Sequence, residues 1–203
     1  MAFHVSRETT DDLRQFSELL LKWNRRINLV SKSSENDIWE RHIEDSLQIW
    51  GLKPEKLDAW ADLGSGGGFP GIVIAIAAKT EKPELQVNLV EADARKCAFL
   101  HTVATNLNLN TRIINTRIEE LPPLNTDVIS ARALAPLPTL LEMAKKHLQP
   151  KGICLFPKGE TVHKEIEAAR KLWSFECISH PSQTSPASAI LEIGAIERDR
   201  AVS

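Results

Sequence analysis

Apolar positions recur every three or four residues in the first part of the chain and then give way to short continuous runs. Between residues 9 and 29, Leu13, Phe16, Leu19, Leu20, Trp23 and Ile27 fall on one stripe, which predicts an amphipathic helix. Thr9 or Thr10 is placed to cap it, with acids in the first turn. A second helix is predicted from about Glu35 to Trp50, offering Ile38, Trp39, Ile43, Leu47 and Trp50 for packing. Gly51 and Pro54 then punctuate the chain.

From there strand-like and helix-like segments alternate. Strands are predicted at Leu57–Leu63, Gln86–Glu91, Thr111–Asn115, Thr126–Ala131 and Gly152–Pro157. Helices are predicted between them at Gly71–Lys79, Ala94–Leu107, Leu137–Leu148 and Val162–Trp173. This alternation implies parallel βαβ units in an α/β, Rossmann-like, doubly wound sheet. The chain ends differently, because Phe175–Ile178 and Ala189–Ile196 are strand-like runs joined by a polar, breaker-rich linker, His180 to Pro186. A C-terminal antiparallel hairpin on the parallel sheet is expected. The expected organisation is a helical extension, residues 1–50, packed on a core of residues 51–203 as one structural domain.

Composition narrows the function classes. Hydrophobic residues make up 42% and charged residues 26%, a globular mixture. The formal net charge of −2 announces no global basic field, so any nucleic-acid contact must be local. The longest apolar run, Gly71 to Ala78, is too short for a bilayer, and the N-terminus lacks a signal-peptide pattern. Cys97, Cys154 and Cys177 are isolated, and the histidines lack ligand spacing, so neither a disulfide framework nor a metal is expected. The chain reads as a reduced, cytoplasmic, soluble protein without a membrane partner.

The candidate chemistry centres on Ala61-Asp62-Leu63-Gly64-Ser65-Gly66-Gly67-Gly68-Phe69-Pro70-Gly71, between the first strand of the core and the helix that follows. Glycines let a ligand approach the main chain closely, and the helix start offers unpaired N–H groups. Two registers compete. Gly66-x-Gly68-x-x-Gly71, with Glu91 twenty residues on, satisfies a dinucleotide pattern. Asp62-x-Gly64-x-Gly66-x-Gly68 satisfies the acid-led loop of class I S-adenosyl-L-methionine (AdoMet) enzymes, with Ser65 inside it. Asp62 favours the second, because a carboxylate suits the methionine ammonium and repels a pyrophosphate. The expected hairpin also belongs to the methyltransferase form of the sheet. Glu91, ending the second core strand, is placed to accept ribose hydroxyls; its plain alternative is a helix cap. Arg117-Ile118-Glu119 offers an apolar side chain and backbone that could cover an adenine, with a solvated loop as the alternative. Arg132 puts a cation at the strand-end crevice.

These pieces together resemble the bacterial small-subunit ribosomal RNA methyltransferase G family, also called glucose-inhibited division protein B. The resemblance is carried by Trp23-Asn24, Asn28-Leu29-Val30-Ser31, Arg41-His42-x-x-Asp45-Ser46, the loop with Phe69-Pro70-Gly71, Arg95-Lys96, Arg117-Ile118-Glu119, Ser130-Ala131-Arg132-Ala133 and Pro157-Lys158-Gly159. It covers about residues 20 to 160, and Val30 stands where the family more often has threonine. It implies AdoMet-dependent methylation of guanine N7 in the 16S rRNA loop near the decoding site, with the small ribosomal subunit or its precursor as partner. Its cofactor positions fall on Gly64, Phe69, Ile118, Glu119 and Arg132.

Guanine N7 carries a free lone pair, so no general base is required and catalysis rests on positioning. Arg132 and Lys158 are the candidate catalytic groups, with His42, Asp45 and Lys158 facing substrate. His42 and Asp45, three apart on a helix, could also simply bond each other. Lys22, Arg25, Arg26, Lys32 and Arg41 are candidate RNA contacts, each with a solvated helix face as its alternative. Two other readings stay open: an NAD(P)-dependent oxidoreductase using Gly66–Gly71, and a non-catalytic RNA-binding module on the same fold.

Overall fold

A computed structural model describes residues 5–199. The first helix, α1 (Arg7–Asn24), starts earlier than Thr9 because Ser6 caps it, its Oγ accepting from the Thr9 amide at 3.0 Å. Thr9 is itself buried, and its hydroxyl meets that of Thr80. The helix also stops before residue 29. Asn24 turns the chain: its Oδ1 accepts from the amides of Leu29 and Val30, and its Nδ2 donates to the Val30 carbonyl and to Glu35. A side chain that bonds nearby backbone this well competes with continued helix.

The second predicted helix is wound at three pitches. A 3-10 turn (Lys32–Asp37) leads into a π turn (Trp39–Glu44) and then the short α2 (Asp45–Gly51). The expectation of one regular helix is therefore corrected. Apolar spacing fits any of these windings over a turn or two, so periodicity alone does not distinguish them.

The core follows the predicted alternation: β1 (Ala59–Leu63), α3 (Gly71–Glu81), β2 (Gln86–Glu91), α4 (Ala94–Asn106), β3 (Thr111–Asn115), β4 (Thr126–Ser130), α5 (Leu137–His147), β5 (Leu148–Lys158), α6 (Val162–Arg170), β6 (Trp173–Pro181) and β7 (Ala189–Arg198). A 3-10 turn, Ile118–Glu120, was not expected. The seven strands lie in the order β3-β2-β1-β4-β5-β7-β6. The first five run parallel, and β7 pairs antiparallel with both β5 and β6, so the terminal hairpin forms as expected.

Period-2 alternation sends neighbouring strand residues to opposite cores. Trp60, Val87, Leu89, Val128 and Leu155 join α1 to α4 on one face. Ala61, Leu63, Val90, Ile129, Cys154 and Phe156 join α5 and α6 on the other. Helix α3 is buried from Gly71 through Ala78, with no polar face, because α1 and α2 cover the side turned away from the sheet. Phe16 of α1 ties this layer together, its ring 5.2 Å from that of Phe69 and 6.4 Å from that of Phe99. No described helix is long and apolar enough to cross a membrane.

Phe16 is wholly buried, so Phe16→Ala should lower unfolding stability by about 3–5 kcal/mol. A single cooperative transition in urea with a reduced midpoint is expected. An unchanged midpoint would show that α1 is not part of the core.

Candidate functional site

Strand order reverses between β1 and β4, and the crevice at their C-terminal ends is where ligands bind in such sheets. The glycine loop rises from β1. Gly64 and Gly66 hold φ of +69° and +53°, backbone that side chains rarely adopt. A Cβ on Gly64 would also strike Leu134 Cδ1 at 2.7 Å, whereas at Gly66 the nearest atom is a backbone oxygen at 3.7 Å, so the loop is open there. The amides of Gly64 and Ser65 both donate to the Val90 carbonyl, pinning the loop to β2. Ser65 is buried, its Oγ donating to the Asp62 carbonyl.

Asp62 lies beneath this loop rather than in the crevice. It is 1% exposed. Its Oδ1 accepts from Ser130 Oγ at 2.7 Å, and its Oδ2 accepts from the Gly71 amide at 3.2 Å. Trp60 Nε1 donates to the same Ser130 oxygen at 2.9 Å, completing a buried chain from β1 to β4 to the start of α3. Burial pushes the Asp62 carboxyl up to about 6, against the pull of these hydrogen bonds. The same geometry rules out the dinucleotide register. The helix start that would hold a pyrophosphate is already bound by a carboxylate, and a Cβ on Gly71 would lie 2.6 Å from Asp62 Oδ2.

Glu91 ends β2, half-buried, with Oε2 accepting from the Gly66 amide and Oε1 from the Asp93 amide. The helix-cap role open to it falls to Asp93, whose side chain accepts from Arg95 and Lys96 amides at the start of α4. Ile118 and Glu119 lie in a short 3-10 turn, with Ile118 buried and Glu119 exposed to solvent. The Ile118 carbonyl contacts His147 Nε2, and the Glu119 carbonyl accepts from Lys146 Nζ. Gly64, Gly66, Glu91, Ile118, Glu119 and Arg132 all line one chamber of about 330 Å³.

A second chamber, about 640 Å³, adjoins it across Arg132, Ala133 and Leu134. Its wall includes Asp45, Pro136, Lys158 and Ile190. Arg132 thus borders both. Its Nη1 donates to His42 Nδ1 at 2.8 Å and lies 3.4 Å from the Arg41 carbonyl. Its guanidinium also sits 5.0 Å above the Phe69 ring, which itself stacks 5.0 Å from the His42 imidazole. The Phe69 side chain is therefore packed, 4% exposed, beneath the cation. Burial and the adjacent Arg132 and Arg41 cations push His42 down to about 4, so its imidazole is neutral and accepts at Nδ1. Burial lowers Arg132 while Asp45 and Asp62 oppose it; a guanidinium stays charged regardless.

His42 and Asp45 do not bond each other. The π turn changes their relative orientation, and each finds a better partner elsewhere. Asp45 Oδ1 accepts from Thr184 Oγ1 and, at 3.3 Å, from Gln48 Nε2. Burial pushes the Asp45 carboxyl up against the Thr184 hydrogen bond. Lys158 is likewise engaged: Nζ donates to Glu165 Oε2 at 2.8 Å and to the Ala135 carbonyl at 3.1 Å, leaving one N–H of its ammonium. Burial pushes Glu165 up, but the hydrogen bond and charge of Lys158 outweigh it and hold the carboxyl below its usual range. Lys22, Arg25, Arg26, Lys32 and Arg41 are all exposed and in no ion pair among the described residues.

Sequence reasoning missed Ser130 as the partner of Asp62, Glu165 as the partner of Lys158, and Thr184 and Gln48 as the holders of Asp45. Only Ser130 carried a signal, sitting at the end of a strand that pairs with β1. Among the described residues no group of three or more His, Cys, Asp or Glu could hold a metal ion.

The sequence model of a family described as "rRNA small subunit methyltransferase G" matches residues 9–189. A protein named ribosomal RNA small subunit methyltransferase G from Cereibacter sphaeroides is 51% identical over 195 residues, covering 96% of this chain and 94% of that protein. Its namesake from Ruegeria sp. is 49% identical, with the same coverage of each. Solved folds are more distant. A predicted O-methyltransferase of Agrobacterium tumefaciens superposes with a TM-score of 0.58 at 16% identity, over 77% of this chain and 82% of that one. The TYW2 protein of M. jannaschii, solved with AdoMet, gives 0.55 at 15%, over 78% and 76%.

Two titrations in the site oppose each other. His42, lowered from 6.5 to about 4, contributes stability that is full above pH 6.5 and lost as pH falls through 4. Asp62, raised from 3.8 to about 6, contributes stability that is full below 3.8 and lost as pH rises through 6. Each contributes a slope of at most about 1.4 kcal/mol per pH unit. Asp62→Asn should therefore steepen the rise of stability from pH 4 to 6, and His42→Gln should flatten or reverse it. Denaturant midpoints across that range test this; parallel profiles for both variants and the parent would refute it.

Proposed function

The chain belongs to the rRNA small subunit methyltransferase G family, and from that premise we propose that the two adjoining chambers divide the cofactor from the base that receives the methyl group. The chain is an AdoMet-dependent rRNA methyltransferase; the oxidoreductase and non-catalytic readings fall with that membership. The observation that carries the division is Arg132, a cation lining both chambers where the strand order reverses.

The smaller chamber suits AdoMet. Its volume of about 330 Å³ is in the range of small-molecule sites. It has an open glycine edge at Gly66, a strand-end carboxylate at Glu91 for the ribose hydroxyls, and the Ile118–Glu119 turn for the adenine. Asp62 contributes from beneath, holding Gly71 and Ser130 so that the loop keeps its shape; a direct contact with the methionine ammonium would require it to exchange one of those partners. Phe69 acts through its packing, supporting Arg132 and His42.

The base we assign to the larger chamber is a guanine of 16S rRNA, methylated at N7. AdoMet, held by Gly66, Glu91 and the Ile118–Glu119 turn, would supply a sulfonium methyl to the N7 lone pair, the S–CH3 bonding electrons staying on sulfur. Arg132 orients the base edge at the boundary, and Lys158, fixed by Glu165 and Ala135, offers its remaining N–H to the RNA. Nothing in this scheme removes a proton from N7, so the neutral, Arg132-bound His42 is a positioning group. Lining up donor and acceptor in this way can contribute roughly 7–11 kcal/mol. Arg41, beside Arg132, and the exposed Lys22, Arg25, Arg26 and Lys32 form the basic path by which the RNA approaches. We place this work in the cytoplasm, on the small ribosomal subunit or its precursor.

The decisive test is 16S rRNA from a deletion strain. One guanine should lose its N7 methyl, seen by mass spectrometry, and purified enzyme with AdoMet should restore it; an unchanged methylation pattern overturns the reading. Arg132→Ala should lower kcat/KM at least tenfold while the domain still folds, unfolding in urea in a single cooperative transition. Full retained turnover would remove Arg132 from the site.

A further inference from the structure

We propose that Asp45 and Arg132 together read the Watson–Crick edge of the incoming base, Asp45 accepting from N1–H and the 2-amino group of guanine and Arg132 donating to O6. This rests on the methyl-transfer reading above and deepens it by naming what selects guanine.

Three observations carry it. First, the two oxygens of Asp45 are unequal. Oδ1 is committed to Thr184 and Gln48, while Oδ2 has no protein partner among the described residues, and the residue lines the larger chamber. Second, Arg132 faces the same chamber and its hydrogen bonds go to neutral groups only, the His42 ring and the Arg41 carbonyl. An acid and a cation therefore border one cavity without pairing, each with donor or acceptor capacity to spare. Third, their order is right. Asp45 lines only the larger chamber, Arg132 lines both, and Gly64, Gly66 and Glu91 line only the smaller. Around a guanine the order is 2-amino, N1–H, O6, N7. A base bound to Asp45 and then Arg132 presents N7 next, towards the chamber of the glycine loop.

Adenine fails at both contacts. It has a lone pair at N1, which would face a carboxylate, and an amino group in place of O6, which would face a guanidinium. Buried groups left unpaired in this way are what give a polar site its discrimination. The apolar remainder of the wall, Leu134, Pro136 and Ile190 among others, holds any purine face without choosing between them.

Gln48 and Thr184 have a part in this. The Gln48 Oε1 accepts from the Gln183 amide, and Thr184 bonds Ser182, so the β6–β7 loop and α2 fix the Asp45 carboxyl from two directions. Asp45→Asn can keep the acceptor at Oδ1 for those partners while placing an NH2 where the free oxygen was.

The test uses small subunits reconstituted around 16S rRNA carrying guanosine or, by splint ligation, inosine at the methylated position. Inosine lacks only the 2-amino group. The parent enzyme should lose about 10- to 100-fold in kcat/KM on inosine, the order expected for a charge-assisted contact. Asp45→Asn should lose a larger factor on guanosine than on inosine, where only the N1–H contact is left to lose, with AdoMet affinity by calorimetry unchanged. If Asp45→Asn does not fold, Thr184→Val, which frees the carboxyl, should show the same narrowed gap between the two bases. Equal parent activity on both bases, or losses that multiply in the variant, overturns the proposal while leaving methyl transfer to guanine intact. No transfer to the guanosine subunit at all overturns the functional reading, and this inference with it.

Discussion

A carboxylate with almost no access to water organises this protein. Asp62 joins the end of β1 to the end of β4 through Ser130 and to the start of α3 through the Gly71 amide. Burying such a group is unfavourable unless hydrogen bonds compensate, and here three elements must be in register to supply them. The glycine loop, from its start at the end of β1 to the Gly71 amide, is held at that meeting point, beside the place where the strand order reverses. Burial raises the carboxyl to about 6 even so, which shows that the bonds offset only part of the desolvation.

Around this point the site is built in layers from distant parts of the chain. The N-terminal helices cover α3 and bring Arg41, His42 and Asp45 to the crevice. The sheet supplies the loop, Glu91 and Arg132. The C-terminal hairpin closes one side with Thr184 and Ile190. Phe69 connects the first two layers, its ring lying against Phe16, His42 and Arg132. A change in the N-terminal extension therefore reaches the chemistry through packing as well as through charge.

Most of the sheet was legible in the sequence because its strands and helices differ in both length and period, and Gly or Pro marks many of the joins. The glycine loop was legible for the same reason it exists: a buried acid and a tight turn require those residue types. The three-pitch segment was not, since 3-10, α and π windings bury nearly the same apolar positions. The His42–Asp45 contact was misjudged from spacing that assumes regular helix. The partners of Asp45 and Lys158 lie too far along the chain, or on too ordinary a helix face, for any local pattern to announce them. Thr184 reaches Asp45 across 139 residues.

The π turn at Trp39–Glu44 has a consequence for how this chain can change over generations. A π turn amounts to one extra residue accommodated in a helix. Losing that residue would let the segment relax to ordinary helix, a change the backbone favours locally, yet everything beyond or before it would swing by about 100°. His42 and Asp45 would then no longer address Arg132 and Thr184 at the same time. Substitutions in this segment can be absorbed one at a time, but its length cannot drift.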